Sequence, residues 1–310
     1  PISSECNFFS CYTCDYLNTL PEEYAFYRND LNTVYFNGQT CRLQMAEDIY
    51  LALSDTEYTA NQVLEMFNYG TGFPVEYDCN KNIGSRTAQS EAFPEYIKLK
   101  FDEMIEEFFS DVIINWDVEA SVGVAGAVYE NNGNVKRVNN KGVEIRQVFI
   151  KGLIGAMCVD QINNKYLERV LNNEGGNDEN ELDELGYTEM EHDLDEAFGN
   201  LYGVWDFLNP DAMTGALLDK HLDKVNLYYP GIANAIYDAF IIARHSIVID
   251  DFETRDFQIG VIKYLINKVV IHQAINYLVL SADMLNEDIP ISENGMFFHY
   301  LSKAYGFIFS

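Results

Sequence analysis

The chain has 310 residues, 48 % of them hydrophobic, and a net charge of −29 from 49 acidic and 20 basic side chains. That balance argues against nucleic acid and anionic membrane surfaces as partners, because both would repel it. The apolar fraction argues against a disordered acidic tail. No run of 18 or more apolar residues occurs, so the sequence contains no candidate transmembrane helix. The length allows one large core or two smaller ones. The 21 Tyr and 20 Phe suit helices packed through large side chains, or an adhesive surface.

Residues 1–36 read as an irregular arm rich in Cys and Tyr, and residues 37–310 as a helical domain, with a break between two bundles near 172–186. The chain opens at Pro1 without an apolar signal stretch, which reads as a mature or trimmed chain after export. In an exported protein, disulfides are expected among Cys6, Cys11, Cys14, Cys41 and Cys79. Cys11 and Cys14 also have the spacing of half a zinc site or a redox pair. Cys158 lies in an apolar helical pattern and reads as a buried free thiol.

Asn37-Gly38 signals a turn. Arg42, Leu43, Met45, Ala46, Ile49, Tyr50 and Leu53 then have helical spacing. Thr59 caps a second short helix, which Gly70 to Pro74 ends. Residues 71–94 read as a loop. Pro94 opens an amphipathic helix to about 115, with Asp102, Glu103, Glu106 and Glu107 on its wet edge. The apolar piece 123–128 only loosely resembles a phosphate loop, lacking the Lys-Ser/Thr that would follow it; close packing on a neighbour accounts for it better. Asn-rich turns at 131–134 and 139–142 flank Val135 to Val138 as in a small hairpin. A nearly all-round apolar helix is predicted from Val143 to about Leu171, so it should be central.

Residues 172–184 are acidic and aperiodic, a surface loop. Its carboxylates and Asn oxygens suit calcium, but their spacing is not that of an EF-hand. The pattern further predicts a helix to about 203, closed by Trp205 to Pro210, and an amphipathic helix over 211–228. Another helix runs from Pro230 to about His245, a long apolar helix from Phe257 to about Leu285, and a last one over 292–307. His272, on the long apolar helix, reads as a satisfied core histidine.

The stretch from Gly186 to Gly199 holds the most distinctive cluster. On a helix His192, Asp195 and Glu196 share one face, and Glu191 adjoins it. One nitrogen and several oxygens converging on a small volume suit a metal ion such as Fe, Zn or Ca. The same residues also suit a buried polar network, with Arg244 and Asp250 or Asp251, Arg42 with Gln39, and Glu144 as further members. No Ser-His-Asp or Cys-His set can be assembled, and no His-Glu-x-x-His occurs, so a hydrolase is disfavoured.

Four ordered pieces carry a family resemblance. They are Phe36-Asn37-Gly38-Gln39-Thr40-Cys41-Arg42-Leu43; Gly142-Val143-Glu144 through Lys151-Gly152-Leu153-Ile154-Gly155-Ala156 with Asp160-Gln161; Tyr187-Thr188-Glu189-Met190-Glu191-His192 through Asp195-Glu196-Ala197-Phe198-Gly199; and Asp238-Ala239-Phe240-Ile241-Ile242-Ala243-Arg244. Through them the chain resembles a family of secreted bacterial proteins related to the imelysins. The resemblance implies an all-α fold of packed helical bundles and an exported, often lipid-anchored protein. The wider imelysin group carries a Gly-x-His-x-x-Glu motif linked to metal, chiefly iron, uptake, and some members bear an older peptidase label. Here Met190 stands at the Gly position and Asp195 at the Glu position. The expectation is therefore a non-enzymatic protein, secreted, periplasmic or on the cell surface. It would bind a cation, or a partner that delivers one, through His192, Asp195, Glu196 and Glu191. The alternative is a surface assembly protein that self-associates into a homo-oligomer, or meets a cell-surface protein, through its acidic, aromatic-rich surface and N-terminal arm.

Overall fold

The computed structural model describes residues 20–130, 132–179, 182–204, 215–285 and 289–310. Helices carry the fold, as expected. In chain order they are α1 (Asn37–Ala52), α2 (Ala60–Tyr69), α3 (Pro94–Glu107), α4 (Ile145–Leu153), α5 (Leu167–Leu171), α6 (Glu189–Tyr202), α7 (Asp219–Asn226), α8 (Ile232–Val248), α9 (Phe252–Leu285) and α10 (Gly295–Phe309). Among the described residues, strands form two antiparallel pairs: β1 (Tyr27–Arg28) with β2 (Leu31–Asn32), and β3 (Gly126–Tyr129) with β4 (Val135–Val138). Asn29 and Asp30 have φ of 51° and 64°, the left-handed pair that joins a two-residue hairpin.

The local signals explain most boundaries. Thr59 and Gln62 form the capping box of α2, and Gly70, at φ 73°, ends it. Pro94 occupies the first turn of α3, where its missing N–H is harmless. The helix predicted from 143 to 171 is continuous, but its middle, Ile154–Tyr166, is wound as a π-helix. The apolar piece 123–128 leads into β3, which takes up its second half. At Gly126, φ is 152° and an added Cβ would lie 2.2 Å from the Val118 carbonyl oxygen, so only glycine allows that strand contact. The helix predicted over 211–228 is shorter, Asp219–Asn226, because Leu217 turns the chain at φ 44° just before it. Residues 211–214 and Trp205 to Pro210 lie outside the described residues, as does most of the predicted arm with Cys6, Cys11 and Cys14.

Helix α9 is the spine. It packs on α8 along one side and on α10 along the other, and α10 in turn lies on α4. Helix α6 packs on the π-helical segment, on α5, on α8 and on α1. Buried apolar side chains from both sides of residues 172–186 join a single cluster. Cys158 is a buried free thiol, as expected, and burial pushes its pKa up to about 12. Cys41 and Cys79, expected among the disulfide partners, are instead free thiols that share a hydrogen bond.

Candidate functional site

The predicted cluster lies on α6, and its N-terminus explains Glu191 first. Thr188 caps the helix. Its hydroxyl accepts from the Glu191 N–H at 3.2 Å, and Glu191 Oε2 accepts from the Thr188 N–H at 2.8 Å. This reciprocal box satisfies two donors that a helix start leaves orphaned.

The same carboxylate then enters a buried ionic knot. Arg244, on α8, is 0 % exposed; Asp195 is 0 % exposed and Glu191 1 %. Arg244 donates from Nη1 to Glu191 Oε1 at 2.8 Å, from Nε to Asp195 Oδ1 at 3.1 Å and from Nη2 to Thr33 Oγ1 at 3.1 Å. Arg28 grips Glu191 from the other side at 3.0 and 3.1 Å and also donates to the Gly186 carbonyl. Tyr24 donates its hydroxyl to Asp195 Oδ1 at 2.8 Å, and the Tyr35 N–H reaches Asp195 Oδ2 at 3.4 Å. The Tyr24 ring stacks on Phe198 at 3.7 Å, and the Arg244 guanidinium lies over Phe26. Residues 24–35 are thereby tied to α6 and α8.

The electrostatics close on themselves. Burial pushes Glu191 up, but Arg244, Arg28 and the Thr188 N–H together hold it below the usual carboxylate range. Burial lifts Asp195 to about 6 against the pull of Arg244 and Tyr24. At neutral pH two arginines thus face two carboxylates, the arrangement that makes buried charge tolerable. All four carboxylate oxygens accept from protein donors.

The other two predicted residues stay outside the knot. His192 is half-buried, its ring stacked on Tyr187 at 4.5 Å with Tyr35 at 6.0 Å, and its Nδ1 is enclosed without a hydrogen-bond partner. Glu196 accepts from Gln39 Nε2 at 2.7 Å, and Gln39 also reaches the Tyr166 hydroxyl. Two partner assignments from the sequence are corrected. Arg244 pairs with Glu191 and Asp195, not with Asp250 or Asp251, because its side chain points inward from α8. Arg42 donates to the carbonyls of Asn82 and Gly38 rather than to Gln39. Glu144 joins a separate pair of contacts, with Arg146 at 3.0 Å and His299 at 2.6 Å. His272 is also not the satisfied core residue expected: it is half-buried beside Tyr228 and Tyr229, and its Nε2 has no partner. Among the described residues, no group of three or more His, Cys, Asp or Glu side chains is placed to hold a metal ion.

A second cluster escaped the sequence reading. Lys151 on α4, Lys220, His221 and Lys224 on α7, and Lys303 on α10 lie close enough for their charges to act on one another. The legible trace was the spacing on α7. Lys224 follows Lys220 by four residues and His221 by three, so the three share a face. Asp219 and Asp223, also four apart, line the adjoining face, where Lys220 acts on Asp219.

The fold and the knot together define a predominantly α-helical protein organised round a buried arginine–carboxylate centre. The chain belongs to a family named for a domain of unknown function, DUF4856, whose sequence model matches residues 21–310. No curated protein and no solved structure matches it.

Proposed function

We propose that the protein is a non-catalytic, exported assembly protein that pairs with a second copy of itself through α9. One observation carries this reading. Tyr264, Ile271, Leu278 and Leu285 recur at every seventh position of α9, and each is 41–63 % exposed. Ile275 lies beside them, 56 % exposed. A seven-residue apolar repeat at one position gives a stripe along the helix that a facing helix can cover. At 1.5 Å per residue the stripe is about 32 Å long.

The occupant follows from charge and area. Residues 257–282 contain no Asp or Glu, so two copies of a strongly acidic chain meet there without carboxylates opposed across the seam. A two-fold axis through Ile271 would set Tyr264 against Leu278 of the second copy. A single strip one helix wide falls short of the roughly 800 Å² per partner of a stable interface. The exposed Leu301, Tyr305 and Ile308 of α10 widen it. A groove of about 630 Å³, lined by Ile271, Ile275, Leu278, Val159 and Ile308 among others, offers the seat for the facing ridge. This moves the contact surface from the N-terminal arm to α9. Light scattering over a range of concentrations should give a dimer, and Ile271→Glu with Leu278→Glu a monomer of unchanged helicity. A wild-type monomer at high concentration would overturn the reading.

A second reading keeps the imelysin resemblance. His192 and Glu196 lie one turn apart on the face of α6 that the arginines leave free. Two donors suit a cation that arrives already chelated, with its carrier supplying the remaining ligands. Metal analysis after incubation with ferric citrate, beside His192→Ala, tests it; equal metal in both proteins would sink this site.

A further inference from the structure

The groove beside α9 has a polar wall as well as an apolar one. Its volume of about 630 Å³ lies within the roughly 300–1,000 Å³ of small-molecule sites. Val270 and Ala274 line it from α9, and Phe307 from α10. The facing wall is the π-helical segment, with Val159, Asp160 and Asn164. Thirteen residues are wound this way, in a geometry that is rare and recurs at functional sites.

Glycines build the groove. An added Cβ would lie 1.9 Å from the Ser310 Oγ at Gly155, and 2.8 Å from the Phe309 Cδ1 at Gly152. Their absence of a side chain lets the end of α10 close directly onto the segment. On its other flank Ala88 turns at φ 51°, and its N–H donates to the Ala156 carbonyl at 2.5 Å. That bond holds the loop 88–91 against the same wall.

Asp160 is the unbalanced member. It is 4 % exposed. Its Oδ2 accepts from the Ser90 N–H at 3.1 Å and from Gln161 Nε2 at 3.4 Å, and its Oδ1 from Asn164 Nδ2 at 3.1 Å. All three donors are neutral, and a carboxylate offers about four acceptor sites. Among the described residues Asp160 makes no ion pair. Arg86, whose carbonyl Gln161 reaches, donates its guanidinium to Gln89 Oε1 at 2.7 Å instead. No Lys, Arg or His lines the groove, and Glu91 adds a second, exposed carboxylate to it. Buried negative charge without a counter-charge carries a cost, and the lining supplies no cation.

We propose that this groove binds a small alkylammonium, a primary amine whose charged head meets Asp160 and whose aliphatic tail lies along Val159, Val270 and Ala274. An ammonium brings three donors, one for the open acceptor site of Asp160 and another for the side-chain carbonyl of Asn164. A charge-assisted hydrogen bond in an apolar surrounding is among the strong ones. This goes beyond the pairing reading and does not rest on it. The head sits on the π-helical wall, whereas the ridge of a second copy would meet α9 at Ile271 and Leu278.

Calorimetric titration of the full chain with hexylammonium chloride tests the proposal. Saturable binding is expected, at least about tenfold tighter than that of hexanol, which keeps only the tail, or of methylammonium, which keeps only the head. Hexanoate should not bind. Asp160→Asn should weaken hexylammonium at least tenfold. Ala274→Phe, which fills the groove from α9, should do the same with helicity unchanged by circular dichroism. Glu103→Gln, on the exposed edge of α3, should leave affinity as it is. Light scattering of the same samples reads the pairing, so the two readings fail separately. Hexanol binding as tightly as hexylammonium, no saturable binding at millimolar concentration, or full affinity in either groove variant would overturn the proposal.

Discussion

The knot on α6 is buried and the lysine cluster among α4, α7 and α10 is partly exposed, and they treat charge in opposite ways. In the knot each cation has a carboxylate within 3.1 Å. In the cluster the cations mainly face one another. A balanced network needs nothing further and holds chain segments together. The knot is thus a structural centre, although the sequence alone made it look functional, and the lysine cluster went unseen.

The sharpest break is Arg244→Met. It strands Glu191 and Asp195 in the interior, and the urea midpoint should fall by the equivalent of about 3–5 kcal/mol. The corresponding change in the cluster should have the opposite sign. Lys151→Met should raise stability by about 1–2 kcal/mol, because it removes mutual repulsion and an unpaired charge. A loss there would mean that Lys151 has an internal partner and would collapse the distinction.

The pH profile should show both regions in one experiment. Asp195 titrates near 6 in the fold and at about 4 in the unfolded chain. Between those values the fold binds the extra proton, so this group's contribution makes stability fall as pH rises from about 4 to 6. Asp193 and Asp219, each lifted by burial to about 7, extend that slope. Lys151 and Lys303 run the other way. From about 7 to 10 the unfolded chain holds more protons, so their contribution makes stability rise with pH. Arg244→Met should change the acid limb, and Lys151→Met should flatten the alkaline one, each read from urea midpoints across pH. The smallest effect is at the helix start: Thr188→Ala should lower stability by about 1 kcal/mol through the lost cap, seen as a modest drop in melting temperature.

Residues that act within one turn of helix were legible in advance. Thr188 and Glu191 form a box because the backbone places them three residues apart, and the apolar spacing of 143–171 and 257–285 is a property of the sequence itself. The presence of His192, Asp195 and Glu196 on one helix was likewise legible, but their partners were not. Arg244 lies 53 residues from Glu191 and 49 from Asp195, and the nearer Asp250 and Asp251 looked equally suitable. The cluster needed still more: lysines from three helices, none distinctive alone, brought together by a glycine-tight contact at Gly306.

By itself, then, the sequence determined where the helices lie, how several are capped, that Cys158 is buried and that the chain is all-α, because periodicity and capping are written within a few residues. Only the tertiary structure decided which charges meet. Pairing depends on which helix faces turn inward, and burial, set by the packing of the whole core, makes one ionic cluster self-sufficient and leaves the other mainly with like charges.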